Sequence, residues 1–529
     1  MTAPDRRHRH SDYRLVFVHA PTDDSRELFR GAPMSILYAL AVLCDRVGRG
    51  QYPGLRPEQV VLYDAALRYT GASKEALQRF RESLPGWKPA AVGIGTTSHA
   101  YYWAIQFAKA VKEFDANCPV IVGGPHEDEH GPSGPGGSID EYGDLFDFSI
   151  QGDAEYVLAE LVDVLYRCDF RVSRAKETLA CQPDRLQNCP GHARLSFRYE
   201  GRTVHLSTTT NFTPGLPFHT AKKLDLRALP LPPRYLLEEE HRFLFDVFRH
   251  EDGGLKPTAQ VMTHRGCPYT CSFCTERGSY VGRPVESVVA EIAELAKLGY
   301  KAVFFDDSTF HLYHGLPELL EELRRRRDQL GLEYGCLTRA DRVLRDSRRA
   351  PLSAFREAGF TYMYLGLEHY SDEVLAEMKK GFGTATIEGA LAELRRAGIR
   401  VGVSLLFGFQ SETEESQRKT LELVATDDNI VLANLSLLCL HPAAAGLLPQ
   451  EQGSIRYDRP APNAGLPWDF FEEGRWYHPP KVTEDYVWHL LELIWEIDDK
   501  HSGRLARKLK RAKELDHAKQ LLPGRCPVS

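Results

Sequence analysis

The stretch Arg265-Gly266-Cys267-Pro268-Tyr269-Thr270-Cys271-Ser272-Phe273-Cys274 puts three cysteines on one short segment with two different gaps. It comes directly after an apolar, strand-like run at 259–262. Three thiolates gathered by one loop suit three corners of an iron–sulfur cube, because soft sulfur is a preferred ligand of such iron, and the fourth iron is then left without a protein ligand. Cys-x-x-Cys also serves zinc and redox chemistry. Structural zinc wants four ligands, for which His264 is the nearest further candidate, but zinc explains neither the spacing of the third cysteine nor Phe273 beside it. A disulfide framework is disfavoured by eleven cysteines, an odd number, in a chain without a secretion signal.

Downstream, apolar runs that read as strands at 302–305, 334–337, 362–365, 400–407 and about 429–438 alternate with helical patterns. One helix begins near Pro284, carries Val288, Ile292, Leu295 and Ala296 on one face and stops at Gly299. A second starts at the Ser371 cap with Asp372 and Glu373 in its first turn. A third carries Ile387, Leu391 and Leu394 and ends at Gly398, and 412–424 reads as a fourth, with Glu412 open to a plain helix-start role. Strands alternating with helices predict a parallel sheet whose ligands gather at the carboxyl ends of its strands.

The pattern Cys267-x-x-x-Cys271-x-Phe273-Cys274, in that βα context, resembles the cluster motif of the radical S-adenosylmethionine (SAM) enzymes. The resemblance implies a partial (βα)6 TIM-type barrel in which the three cysteines hold a [4Fe–4S] cluster and SAM chelates the open iron. One electron then splits SAM into methionine and a 5′-deoxyadenosyl radical, which abstracts hydrogen from an unactivated position. The same resemblance sets the main chain around Phe273 against the adenine. It places Asp306 and Asp307 beside the methionine ammonium, a group that carboxylates bind well. Arg339 would face a carboxylate, and Gly366-Leu367-Glu368 is similar to the family's Gly-x-Glu turn near the ribose or methionine end. Ser404, with Phe407, Gly408, Glu412 and Thr413 in a Phe-Gly-x-x-x-Glu-Thr pattern, resembles the fifth strand and its turn. An external one-electron donor such as flavodoxin or ferredoxin is implied as well.

The 529 residues exceed such a barrel and predict two to four domains. After a His/Arg-rich tail, strands at 15–18, 60–63, 91–94, 120–122 and 148–150 alternate with helices at 33–43, 101–114 and from Glu155 through Leu165, which reads as a doubly wound, Rossmann-like α/β domain. Gly123 and Gly124 would let backbone approach a ligand, and Thr96, Thr97 and Ser98 end the adjacent strand with hydroxyls; each taken singly also reads as an ordinary turn residue. In order, Gly-Ile-Gly-Thr96-Thr97-Ser98, Val-Gly123-Gly124-Pro-His126 and Gly152-Asp-Ala-Glu155 resemble the cobalamin-binding-type domain fused to many radical SAM proteins. These residues are the cobalamin candidates that the resemblance implies. No Asp-x-His-x-x-Gly is present in this region, so a lower cobalt ligand of that kind is absent, and His126 reads as a surface turn residue.

The expected division is a Rossmann-like domain at 12–168, a connector with a hairpin at 169–250, a radical SAM barrel at 251–440 and a small, mostly helical C-terminal region at 441–529. Cys168, Cys181 and Cys189 read as ordinary reduced thiols. The Pro/Ala/Gly-rich segment 442–467 reads as a substrate cover, and Trp468, Phe470, Phe471, Trp476 and Tyr477 as pocket lining or packing. Basic runs at 324–327 and 504–513 in a chain of net charge −7 read as solvated helix faces, so no nucleic-acid partner is expected. No apolar run is long enough to span a bilayer and no signal-peptide core is seen, so a cytoplasmic protein is expected. Together these expectations describe a radical SAM enzyme methylating an unactivated carbon of a small metabolite with cobalamin. Radical cyclisation or rearrangement on the same domains is the first alternative, and a non-catalytic iron–sulfur electron carrier or sensor is one of another class.

Overall fold

The computed structural model describes residues 13–22, 32–68, 72–129, 137–209, 224–238, 247–274, 276, 280–439, 457–459, 468–471 and 477–520. The apolar run after Tyr13 forms β1 (Arg14–His19), which pairs in parallel with β2 (Val60–Asp64) on one side and β3 (Pro89–Gly95) on the other. β4 (Val120–Gly123) and β5 (Phe148–Gly152) extend the sheet in parallel beyond β3. The spatial order β2-β1-β3-β4-β5 reverses direction between β1 and β3, and an α/β sheet binds ligands in the crevice at the carboxyl ends beside such a reversal. Helices Met34–Gly48, Ser73–Trp87, Tyr101–Phe114 and Ala154–Arg167 connect these strands, as amphipathic segments between buried strands must.

The hairpin assigned to a connector from its sequence joins this sheet instead. β6 (Ala193–Tyr199) pairs antiparallel with β5, and β7 (Arg202–Ser207) pairs with β6. The segment Leu195–Phe197 is fully buried, Ser196 included, as a strand paired with β5 inside a sheet must be, so the sheet continues past residue 168. The chain divides into two compact units, the first centred on Gly31–His241 and the second on Arg242–Ile455 with Ala461–Ser529.

In the second unit, β8 (Thr258–Val261) leads into a two-stranded ribbon, β9 (His264–Arg265) with β10 (Val281–Gly282), which ties the cysteine loop at its base. β11 (Ala302–Phe305), β12 (Glu333–Thr338), β13 (Phe360–Glu368), β14 (Arg400–Phe407) and β15 (Ile430–Leu437) follow, each parallel to its neighbour. The order β8-β11-β12-β13-β14-β15 is sequential and, among the described residues, leaves β8 and β15 unpaired with each other, which is an open, partial (βα)6 barrel.

Alternate side chains of these strands divide between two apolar clusters. Val303, Phe305, Cys336, Met363, Leu365 and Val403 pack against helix residues such as Val288, Ile292, Leu391 and Leu394. Phe304, Tyr362, Tyr364 and Leu432 pack with Val247 and Phe248 on the other side. Tyr362 fills its layer so completely that any side chain at position 402 would collide with it, which accounts for Gly402 in mid-strand. Burying each large side chain of this kind is worth roughly 1.5–3 kcal/mol.

The C-terminal region is helical at Glu484–Lys500, Arg504–Leu509 and Ala512–Gln520. Trp468, Phe470 and Phe471 are buried in the main core of the second unit, so packing is the role the structure gives them. Trp476 and the expected cover at 442–467, apart from 457–459, lie outside the described residues. No described helix is long and apolar enough to cross a membrane.

Candidate active site

The cysteine loop emerges at the carboxyl end of β8. Cys267 and Cys271 are buried and Cys274 is partly so. Burial pushes the Cys267 thiol up and that of Cys274 up to about 12, with the Glu276 charge and those of Cys271 and Cys267 adding to the rise at Cys274. Metal binding there must displace protons. Each cysteine of a cube binds a different iron, so the thiols need not converge on one point; a zinc ion would require that. Among the described residues no three or more His, Cys, Asp or Glu groups converge in that way. The His264 ring stacks on Tyr280, and its Nδ1 lies 3.1 Å from Thr263 Oγ1. Three cysteines on one loop are the donor set that a three-thiolate cluster takes.

The loop is held from three sides. Ser272 N donates to Met378 O (3.0 Å) and Ser272 Oγ to Glu377 O (3.1 Å), which fastens it to the turn after β13. The Phe273 ring meets Phe409, from the turn after β14, edge-on at 6.2 Å. Arg339, at the end of β12, donates to Cys271 Sγ at 3.5 Å.

The paired acids after β11 separate into two roles. Asp307 is buried; its Oδ1 accepts from Thr263 N (2.7 Å) and His264 N (2.9 Å), and its Oδ2 from Thr263 Oγ1 (3.0 Å). Its acceptors are spent on bracing the turn between β8 and β9, which corrects the expectation that it faces an ammonium group. Asp306 Oδ2 accepts from Gln260 (2.7 Å), and its carboxylate is accessible to solvent yet recessed. Enclosure by the protein and the charge of Asp307 push the Asp306 pKa up to about 7.

Arg339 does face a carboxylate, that of Asp341. Its Nε donates to Asp341 (3.0 Å), its Nη2 to Lys380 O, and its guanidinium carbon lies 3.6 Å from the centroid of the Tyr269 ring. These donors serve the loop and its supports. Glu368 and Ser404 are brought together, as Ser404 Oγ donates to Glu368 Oε2 (2.7 Å) and Lys380 Nζ lies 3.2 Å from Oε1. Glu368 holds φ +64°, a left-handed conformation costly for a side-chain-bearing residue and typical of ligand-contacting turns.

Glu412 does not start the helix Glu414–Thr426, whose cap is Thr413. Both Glu412 carboxylate oxygens instead accept from Gly408 N at 3.0 Å, and Tyr486 OH donates to Oε2 at 2.6 Å. Sequence reasoning missed Lys380, Glu377 and Tyr486, because nothing in their local sequence marks a partner that folding alone supplies.

In the first unit the candidates cluster at the carboxyl ends of β3, β4 and β5. Thr96 Oγ1 donates to Thr97 O (2.9 Å), and Ser98 Oγ lies 3.0 Å from His126 Nδ1. His126 is fully buried and stacked on Tyr101 at 3.8 Å, so it is not a surface residue. Gly124 and Gly152 have φ of +111° and +82°. A Cβ at 124 would sit 2.5 Å from Thr96 O, and one at 152 would strike His192 O, so neighbouring backbone already uses the space these glycines leave. Gly123 adopts no such φ. Glu155 lies buried in the first turn of Ala154–Arg167. His19 Nδ1 contacts Asp64 Oδ1 (2.8 Å) at the ends of β1 and β2, beside the order reversal.

Residues 261–424 match the family model of the radical SAM superfamily. An uncharacterized methyltransferase of Pyrococcus horikoshii is 27% identical over 63% of this chain and 63% of its own length. The anaerobic magnesium-protoporphyrin IX monomethyl ester cyclase of Rubrivivax gelatinosus is 26% identical over 68% of this chain and 58% of its own. The matches thus span less than two thirds of these curated relatives. Among solved structures, the radical SAM methyltransferase TsrM of Kitasatospora setae, with tryptophan substrate and a SAM analogue bound, aligns with a TM-score of 0.59 at 18% identity over 92% of this chain and 89% of that one. The cobalamin-dependent radical SAM enzyme OxsB aligns at 0.52 and 16% identity over 79% of this chain and 53% of that one.

Residues 261–424 carry the radical SAM domain. The fold of the chain is that of the class carrying an N-terminal cobalamin-binding-type domain.

Proposed function

We propose that this protein is a radical SAM enzyme that reductively cleaves SAM and, with cobalamin, methylates an unactivated carbon of a small metabolite. The observation that carries the reading is the three-thiol loop at the mouth of the open barrel, in a chain that also has a corrin-type sheet. When bound, the cluster supplies an electron to SAM and the corrin carries a methyl group.

The chain's own residues bind and orient. Cys267, Cys271 and Cys274 would hold the cluster, with Ser272 and Arg339 fixing the loop. Asp306, with its carboxylate accessible, would receive the methionine ammonium. Glu368, aligned by Lys380 and Ser404, would accept from hydroxyls of the adenosine, and the backbone around Phe273 would lie along the adenine. Thr96, Thr97, Ser98, Gly123, Gly124, Gly152 and Glu155 would frame the corrin. A reducing cytoplasm and a flavodoxin- or ferredoxin-type donor would match an oxygen-sensitive cluster.

Anaerobic reconstitution with hydroxocobalamin, followed by iron, sulfide and cobalt analysis and then turnover with methyl-labelled SAM, tests the reading. About four irons and one cobalt per chain, with label passing to product, are expected; label absent from every product would sink methyl transfer. A second reading, radical cyclisation on the same two domains, is favoured by the similarity to the monomethyl ester cyclase and predicts an unlabelled product.

A further inference from the structure

We propose that Arg339 sets the reduction potential of the metal cluster through a directed N–H···S hydrogen bond to Cys271, in addition to clamping the loop. The inference rests on the reading that the three thiols hold an iron–sulfur cluster. Arg339 is buried, and its guanidinium is always charged. Its Nη1 reaches Cys271 Sγ at 3.5 Å, while Nε and Nη2 are anchored on Asp341 Oδ1 and Lys380 O. Tyr269, two residues after Cys267, stacks under the guanidinium at 3.6 Å, and Phe382 lies at 5.1 Å. With two donors fixed and the plane held by aromatic rings, the remaining N–H group is aimed at sulfur.

A donor on a ligating sulfur withdraws electron density and favours the more negative, reduced cluster, so it raises the potential. Low local polarity strengthens the effect. Asp341 partly cancels the arginine charge, and Arg345 in turn lies 3.4 Å from Asp341 Oδ2. Removing the charges of Arg339 and Asp341 together leaves the net charge of this group unchanged, which isolates the directional bond to Cys271. Lys380 extends the same connection, because its carbonyl accepts from Arg339 while its Nζ contacts Glu368.

The test is an anaerobic, mediator-controlled titration of the reconstituted cluster, followed by electron paramagnetic resonance, with iron and sulfide measured on each sample. Arg339→Met and the charge-balanced Arg339→Met/Asp341→Asn are both expected to keep their iron. Both should shift the reduction equilibrium tenfold or more toward the oxidised state, about 59 mV lower in potential for one electron. Asp341→Asn alone, which keeps the guanidinium and its bond to sulfur but removes a negative charge, measures the charge contribution by itself. Full iron with a wild-type potential in the charge-balanced variant would overturn the proposal and leave Arg339 a clamp. If the Arg339→Met variants lose iron, Arg339→Lys, which keeps the positive charge but lacks the planar fork aimed at sulfur, decides instead: a lowered potential supports the proposal and a wild-type potential overturns it. Wild-type protein that takes up no iron would instead remove the cluster reading itself.

Discussion

Tyr486 donates its hydroxyl to Glu412 Oε2 at 2.6 Å and so joins the C-terminal helix Glu484–Lys500 to the turn that follows β14. The same carboxylate holds Gly408 N, and Lys481 Nζ donates to the carbonyls of Phe409 (2.5 Å), Gln410 (3.1 Å) and Glu412 (3.1 Å). A buried acid that loses a donor bears a desolvation cost of about 1–3 kcal/mol. Tyr486→Phe is expected to destabilise by that amount, read as a lower urea midpoint, and to raise hydrogen exchange at Gly408 N. Unchanged exchange there would show that the turn stands without the helix.

Replacing Cys267, Cys271 or Cys274 with Ala should abolish iron binding and SAM cleavage while leaving the far-ultraviolet circular dichroism unaltered. The ribbon, the bonds from Ser272 and the contact between Phe273 and Phe409 are protein–protein contacts that do not pass through the cysteine thiols. A variant that retains cleavage would exclude that thiol from the cluster.

Asp306 and Asp307 should respond oppositely to substitution. The Asp306 pKa is raised to about 7 from an ordinary 3.8, so the native state holds its proton more tightly than the unfolded chain. Its contribution to stability is complete below about pH 3.8 and is lost as pH rises towards 7. Asp306→Asn should therefore match wild type near pH 4 and exceed it by about 1 kcal/mol at pH 8, a value discounted for solvent access. Asp307→Ala removes the acceptor of two backbone donors and should destabilise by about 2 kcal/mol at both pH values. Urea titrations at pH 4 and 8 check both.

Lys380→Met leaves Glu368 with Ser404 as its remaining described partner in the pair of contacts above. SAM affinity of the reconstituted protein should fall about tenfold, near 1.4 kcal/mol, with iron content preserved. Equilibrium binding measured by calorimetry separates this from a loss of cluster.

His126→Ala should leave the electron paramagnetic resonance of bound cob(II)alamin unchanged, because the His126 ring is committed to Ser98 and Tyr101. A change in nitrogen splitting on substitution would make it a cobalt ligand.

The barrel strands and their order were legible because each is a short apolar run bounded by a helix cap or a glycine; β11 at Ala302–Phe305 and β14 at Arg400–Phe407 coincide with their sequence patterns. The hairpin of β6 and β7 was legible as a hairpin but not as part of the sheet, since strand pairing is a long-range choice that its own sequence does not encode. At the site, residue types at strand ends were legible, but their directions were not. Asp306 and Asp307 are adjacent and chemically equal, and only the fold sends one to Thr263 and His264 and leaves the other accessible. Arg339 was legible as a charged residue at the end of β12, whereas its meeting with Cys271, 68 residues earlier, depends on how the loop closes.

Because β8 and β15 are not joined, the second unit keeps its two lips chemically independent: one bears the cysteine loop, and the other is lined by the helix Arg504–Leu509, whose Lys508 donates to Val424 O and Asp427 O. A closed barrel would fix its bore by strand count and stagger. An unclosed one lets the span between its lips change while the hydrogen-bonded register of all six strands is kept. Replacing the segments after β15 is therefore a route to admitting larger or smaller molecules without rebuilding the machinery on the opposite lip.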